Sequence, residues 1–299
     1  MSHRGGRART PAVPAACYQR RMRILLVALA LTLASPAAAA PLPSAGCSAA
    51  NVEHGRRIET TLQVDGVARQ VILDVPDSVK AKAPAPLLLD FHGFGHSGAG
   101  VWNVSGFKLL AEKAGFITAY PTGLPVTLNL RGQPMTGPGW EMYSIDGNRD
   151  LAFVRALLDD LERRYCLDRR RIYATGFSNG AFFSQLLACA LAERIAAVAP
   201  VSGGALRVAC EPKRPVPILI QHGSQDDLLP PETARAARDA WRTIDGCSGD
   251  PTRRDGPTCE RWQCRDNTAV VYCEEAYAHR WPPQATERVW AFVSGYELP

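Results

Sequence analysis

Apolar and polar residues alternate along Ile58 to Val64 and again along Gln70 to Val75, on either side of Asp65-Gly66. That pattern predicts two half-buried strands joined by a tight hairpin turn. Pro86 to Phe91 instead forms an apolar run ending at His92-Gly93, as expected for a strand buried on both faces. A helix is expected near Phe107 to Lys113, and a second buried strand over Phe116 to Tyr120. Pro121 to Asn148 is rich in Gly and Pro with little periodicity, and reads as a long functional loop. Leu151 to Tyr165 then places Phe153, Leu157, Leu158 and Leu161 on one helical face. Further on, strands are predicted at Arg171–Thr175, Ile195–Val201, Pro217–Gln221 and Ala269–Cys273. Helices are predicted at Ala181–Ala192, Glu232–Ile244 and Ala285–Phe292. Strands alternating with helices predict a single α/β domain over residues 41–299, with a mostly parallel sheet covered by helices on both faces. No internal repeat or second domain is visible.

The first forty residues follow another pattern. Arg20, Arg21 and Arg23 precede the uncharged apolar run Ile24 to Leu33, and the small residues Ala37 to Ala40 precede Pro41. A positive end, a short apolar stretch and an A-x-A exit describe a leader and secretory signal peptide over residues 1–40. The run is shorter than the roughly 20 residues needed to cross a bilayer. Its removal changes the charge: the six arginines of residues 1–40 leave with no acid, taking the net charge from +5 to about −1. The basic balance therefore belongs to the leader, and neither nucleic acid nor a membrane surface is expected as a partner.

Cysteine usage agrees with export. Of nine cysteines, Cys17 lies in the leader and eight remain, an even number suited to disulfides in an oxidising compartment. Sequence leaves the pairing open among 105 possibilities. The Cys259, Cys264 and Cys273 group lacks the paired C-x-x-C spacing of a zinc site. His92 and His96 are four residues apart, but glycines between them argue against a metal-binding helix, and no metal or other cofactor is expected.

The candidate chemistry sits at predicted strand ends. Gly176-Phe177-Ser178-Asn179-Gly180 falls between a strand and a helix, where a nucleophile elbow belongs. Both outer residues must be small because the turn brings them together, and both are Gly. A nucleophilic Ser needs a base, and the base an orienting acid, in the chain order Ser, Asp, His. Asp226 and Asp227 follow one later strand and His279 follows the next. The expected oxyanion donors are the backbone N–H groups of Asn179 and of Phe94, the latter in the Gly-rich turn His92-Gly93-Phe94-Gly95. His92 itself reads as a buried strand-end residue. Together these features predict an α/β-hydrolase fold performing acyl transfer through Ser178.

Longer stretches carry a family resemblance. Tyr173 to Gly180, Leu187-Ala188-Cys189 and Ala197 to Gly203 resemble the polyhydroxybutyrate depolymerase and feruloyl esterase family of secreted hydrolases. His222 to Pro230 is similar to that family's H-G-T-x-D-x-x-V-P pattern, and His279-Arg280-Trp281-Pro282 to its H-x-W-P motif. The resemblance implies that Asp226, rather than Asp227, is the acid and that His279 is the base. This chain departs from the family at Tyr277-Ala278 and at Ala181, where the family often has glycine, and a narrower pocket is expected there.

The resemblance also implies a substrate: feruloyl esters of plant cell-wall xylan, with short polyhydroxyalkanoate polyesters, or an acyl-binding or acyltransferase role, as alternatives. Trp102, Trp140, Tyr143 and Trp281 are expected in or beside catalytic-face loops, where they could stack on an aromatic acyl group or a sugar. The ester substrate is the one expected partner, and the chain is expected as a monomer.

Overall fold

The computed structural model describes residues 40–49, 51–252 and 257–299. The leader and signal peptide expected over residues 1–40 lie, but for Ala40, outside them.

Twelve strands and six α-helices follow one another along the described chain. The first hairpin is β1 (Gly55–Val64) and β2 (Val67–Val75), which pair antiparallel around Asp65 and Gly66. Both turn residues have positive φ, 51° and 78°, as a tight hairpin turn demands. Next come β3 (Ala85–Phe91), α1 (Gly98–Val104), α2 (Phe107–Ala114) and β4 (Ile117–Pro121). The stretch read from sequence as a loop holds a hairpin, β5 (Pro125–Leu130) and β6 (Gln133–Pro138), which forms its own two-stranded sheet. Then follow α3 (Arg149–Arg164), β7 (Leu167–Phe177), α4 (Asn179–Ala190), β8 (Ala197–Val201), β9 (Ile218–Gly223) and α5 (Pro231–Ile244). The chain closes with β10 (Ser248–Thr252), β11 (Cys259–Gln263), β12 (Ala269–Glu275) and α6 (Ala285–Val293).

Ten strands form one sheet in the order β1-β2-β4-β3-β7-β8-β9-β12-β11-β10. The six central strands, β4 to β12 in that order, are parallel, and each edge is finished by antiparallel strands. Both faces are buried. On one, α3, α4 and α5 bring Phe153, Leu157, Phe183, Leu187 and Trp241 against Leu87, Leu89 and Ile218. On the other, α1, α2 and α6 bring Val101, Phe107, Val289 and Val293 against Leu88, Tyr173 and Leu219. A parallel strand buried on both faces must be apolar at successive positions, which is why β3, β7 and β9 read as runs.

Four disulfides join the eight cysteines of the described residues: Cys47–Cys166, Cys189–Cys210, Cys247–Cys264 and Cys259–Cys273. The last two staple the short, polar β10–β11 edge to α5 and β12, so the cysteines weighed as zinc ligands are consumed in cross-links. Because the central strands are parallel, their C-terminal ends lie along one rim of the sheet. The loops after β3, β7, β9 and β12 meet there.

Candidate active site

Ser178 joins β7 to α4 with φ 54° and ψ −116°, a conformation disfavoured for a residue with a Cβ. Its N–H donates to the Val201 carbonyl at 3.0 Å, which ties the strained residue to β8. The flanking glycines are sterically required. A Cβ at Gly176 would lie 2.5 Å from the Gly180 carbonyl oxygen, and one at Gly180 would lie 2.1 Å from that of Phe91.

The later loops bring the other groups to this turn. His279 Nδ1 lies 2.7 Å from Asp226 Oδ2, and its Nε2 lies 2.9 Å from Ser178 Oγ. A carboxylate can only accept, so Nδ1 carries the proton and Nε2 is left to accept from the serine hydroxyl. Asp226 is buried, and its other oxygen accepts the N–H groups of Leu228 (3.1 Å) and Leu229 (2.8 Å). Main-chain bonds fasten the acid loop to the base loop: Ser224 N–H to the Glu275 carbonyl at 2.8 Å, and Gln225 N–H to that of Tyr277 at 3.1 Å. Gly223 permits that approach, since a Cβ there would sit 2.0 Å from the Tyr277 oxygen.

No protein-family profile matches the chain. Individual relatives do. It is 30% identical to feruloyl esterase B of Piromyces equi over 259 residues, which covers 77% of this chain and 46% of that protein. It is 27% identical to feruloyl esterase D of Neurospora crassa over 300 residues, covering 92% of this chain and 98% of that one. Among solved structures, the acetyl xylan esterase from Aspergillus awamori superposes with a TM-score of 0.63 at 16% identity, over 79% of this chain and 98% of the other. In sequence the chain is similar to feruloyl and acetylxylan esterases, and it shares the α/β fold of its esterase neighbours. It spans less than half the length of the Piromyces relative.

Two clefts open at the site. The larger, about 420 Å³, is lined by Ser178, Asn179, Phe94, Phe182, Met142 and Leu229 among others. The smaller, about 250 Å³, is lined by Val101, Val104, Arg280 and Trp281 and does not include Ser178. His279, Phe177, Gly93 and His96 line both. Phe94 and Asn179 thus stand beside the serine. The Asn179 side chain is occupied elsewhere: it accepts from Trp140 N–H at 2.7 Å and donates to the Trp140 carbonyl at 3.1 Å.

The four aromatic residues proposed from sequence as substrate contacts separate here. Tyr143 is exposed and lines the larger cleft, and Trp281 lines the smaller. Trp140 does neither. It has no exposed surface, is packed between Phe91 and Phe183, and donates its indole N–H to the His92 carbonyl at 3.0 Å. It supports the elbow from beneath and cannot stack on a ligand. Trp102 is also misplaced: on α1, it donates to both oxygens of Asp74 at 3.0 Å, with Lys108 over its ring, and lines neither cleft. Nor do Tyr277, Ala278 or Ala181 line either one, so the departures from the family glycines leave the cleft walls untouched.

Two histidines complete the picture. His92 is fully buried, its Nδ1–H donating to the Gly93 carbonyl at 2.7 Å and its Nε2 accepting from Gly123 N–H at 2.9 Å. Burial pushes its pKa down to about 4, so the ring is neutral and has no lone pair left for a metal. His222 was not proposed from sequence as a site residue, although it begins the motif that contains Asp226. It is buried beneath that carboxylate, 3.5 Å away, and donates from Nε2 to the Leu229 carbonyl at 2.8 Å. Burial lowers its pKa as well. It braces the same Leu229 peptide that holds Asp226.

Proposed function

We propose that the protein is a secreted, monomeric serine esterase acting on hydroxycinnamoyl esters of plant cell-wall xylan. One observation carries the reading: His279 is within hydrogen-bond distance of both Ser178 and Asp226, in the tautomer that leaves Nε2 free to accept a proton. Ser178 attacks the ester carbonyl while His279 takes its proton. Asp226 fixes the imidazole and stabilises the charge it acquires. The oxyanion is bound by the N–H groups of Phe94 and Asn179, the second aided by the N-terminal end of α4. The protonated His279 then supplies the leaving alcohol, and water releases the acyl group by the same steps in reverse.

The substrate class is supported by the feruloyl esterase relatives and by the apolar lining of the larger cleft, where Phe94, Phe182, Leu128 and Tyr143 suit a flat aromatic acyl group. Secretion is supported by four disulfides, which fit an oxidising compartment, with residues 1–40 as leader.

The test is kcat/KM of the mature protein on methyl ferulate against p-nitrophenyl butyrate. Comparable or faster turnover of methyl ferulate is expected. Butyrate cleavage alone would replace the aromatic acyl group by a short aliphatic one. Ser178→Ala is expected to lower turnover by roughly 10⁴-fold or more. Undiminished turnover by purified Ser178→Ala would overturn the mechanism.

A further inference from the structure

His279 is the wall between two clefts, and only the larger holds the nucleophile and the groups assigned to the oxyanion. During acylation the bond from Ser178 Oγ to the acyl carbon forms and the bond from that carbon to the alcohol oxygen breaks. The proton first taken from Ser178 passes from His279 Nε2 to the departing oxygen. That oxygen must therefore face His279, and whatever it carries extends past the imidazole and Phe177, away from Ser178. The smaller recess lies there. Its apolar wall is formed by Val101, Val104 and Trp281, whose indole N–H is already used on Thr286 Oγ1 at 3.1 Å.

No acidic residue lines either cleft, whereas three arginines do. Two are engaged. Arg131 pairs with Asp227 at 3.1 Å, and Arg207 lies over the Phe182 ring at 5.5 Å. Arg280, an exposed residue lining the smaller recess, has neither an ion pair nor a ring contact among the described residues. We propose that the smaller recess receives the alcohol half of the ester and that Arg280 selects alcohols carrying a carboxylate. The carbon skeleton packs on Val101, Val104 and Trp281 while the carboxylate meets the planar guanidinium, which matches it in a two-pronged contact. Hydroxy acids and uronic sugars share this chemistry. The inference rests on the serine-esterase reading given above.

Two matched pairs of ferulate esters test it: 3-hydroxybutyrate against its carboxamide, and glucuronate against glucose, with methyl ferulate as reference. The wild-type protein is expected to favour the charged member of at least one pair about five- to tenfold in kcat/KM at low salt, the range of a half-exposed charge-assisted contact. The pair with the larger ratio identifies the source of the carboxylate. In Arg280→Gln the ratio should fall to about one, Arg280→Lys should keep part of it, and added salt should erode it in the wild type. A thermal melt checks that each variant is folded. Methyl ferulate turned over with a ratio of one in both pairs overturns this inference alone. So does a preference that survives Arg280→Gln but is lost in Arg207→Gln, since that assigns the carboxylate to the larger cleft. No turnover of any ester, methyl ferulate included, overturns the esterase reading and this inference with it.

Discussion

A single methyl group at Gly180 would sit 2.1 Å from the Phe91 carbonyl oxygen, well inside van der Waals contact, and the atom it meets is backbone. The strand cannot yield locally, so α4 would have to move, and with it the Asn179 N–H at its first turn. Gly180→Ala is therefore expected to lower stability by about 1–3 kcal/mol, as overpacking does. Displacing the oxyanion donor by around an ångström should also cost about 10²-fold in kcat. A folded variant with normal kcat on p-nitrophenyl butyrate would disprove the requirement. The elbow was visible in sequence because its residue types follow from local geometry, whereas Asp226 and His279 were proposed from chain order and from the motifs shared with the family. The place of Trp140 was not visible. Whether an aromatic residue in an aperiodic stretch faces a cleft or the core is decided by partners such as Phe91, Phe183 and Asn179, which lie far from it along the chain. His222 was visible as a letter in a motif, but its duty under Asp226 appears only when the loop closes on itself.

At the scale of elements, the alternating strands and helices were read nearly to their ends, because strands buried on both faces leave continuous apolar runs. Helix α1 and strand β11 were not read from the sequence, and two further misses share a cause. The β5–β6 hairpin and the β10 edge strand bury little: Gln133 to Thr136 are exposed, as is every residue of β10, so no apolar period marks them. The hairpin instead turns on Arg131 and Gly132, both with positive φ, and that turn carries Arg131 to Asp227 beside Asp226. The contact makes the hairpin a strap across the larger cleft, whose lining includes Leu128, Leu130 and Arg131. Both partners are largely exposed, at 70% and 77%, so the pair itself adds at most about 1 kcal/mol to stability. Asp227→Asn should leave the melting temperature nearly unchanged. Freed from its tether, the hairpin should raise KM for methyl ferulate, whose acyl half the larger cleft is proposed to take, severalfold while leaving kcat close to wild type. Identical KM values for methyl ferulate in both proteins would show that the strap does not shape the cleft.

Across the whole molecule, burial makes two carboxyl groups favour the protonated form in the fold. Asp90 lies on β3 two residues before His92, has no exposed surface, and neither of its oxygens finds a partner among the described residues. Burial pushes its pKa up to about 7. Asp245, at the end of α5, is pushed up to about 7 for the same reason, although one oxygen accepts the Val216 N–H at 3.1 Å. Below about pH 4 both groups are protonated, folded or unfolded, and cost nothing electrostatically. As pH rises further, the unfolded chain releases these protons while the folded one keeps them, so stability falls until the folded groups ionise near pH 7 and then levels off. Surface carboxylates act in the opposite sense. Glu274, bonded to Arg235, and Asp239, bonded to Arg238, have lowered pKa values, so the stability they add is present at higher pH and is lost as the solution turns acid. The two trends oppose each other, and maximal stability is expected on the acid side of neutrality, at about pH 5. Asp90→Asn isolates one contribution, because the amide keeps the shape and cannot ionise. The variant's melting temperature should match the wild type's near pH 4, exceed it by a margin that widens toward pH 7, and keep that margin at pH 8. Calorimetry on both proteins across that range decides the matter: a difference independent of pH would mean that Asp90 never carries the buried proton.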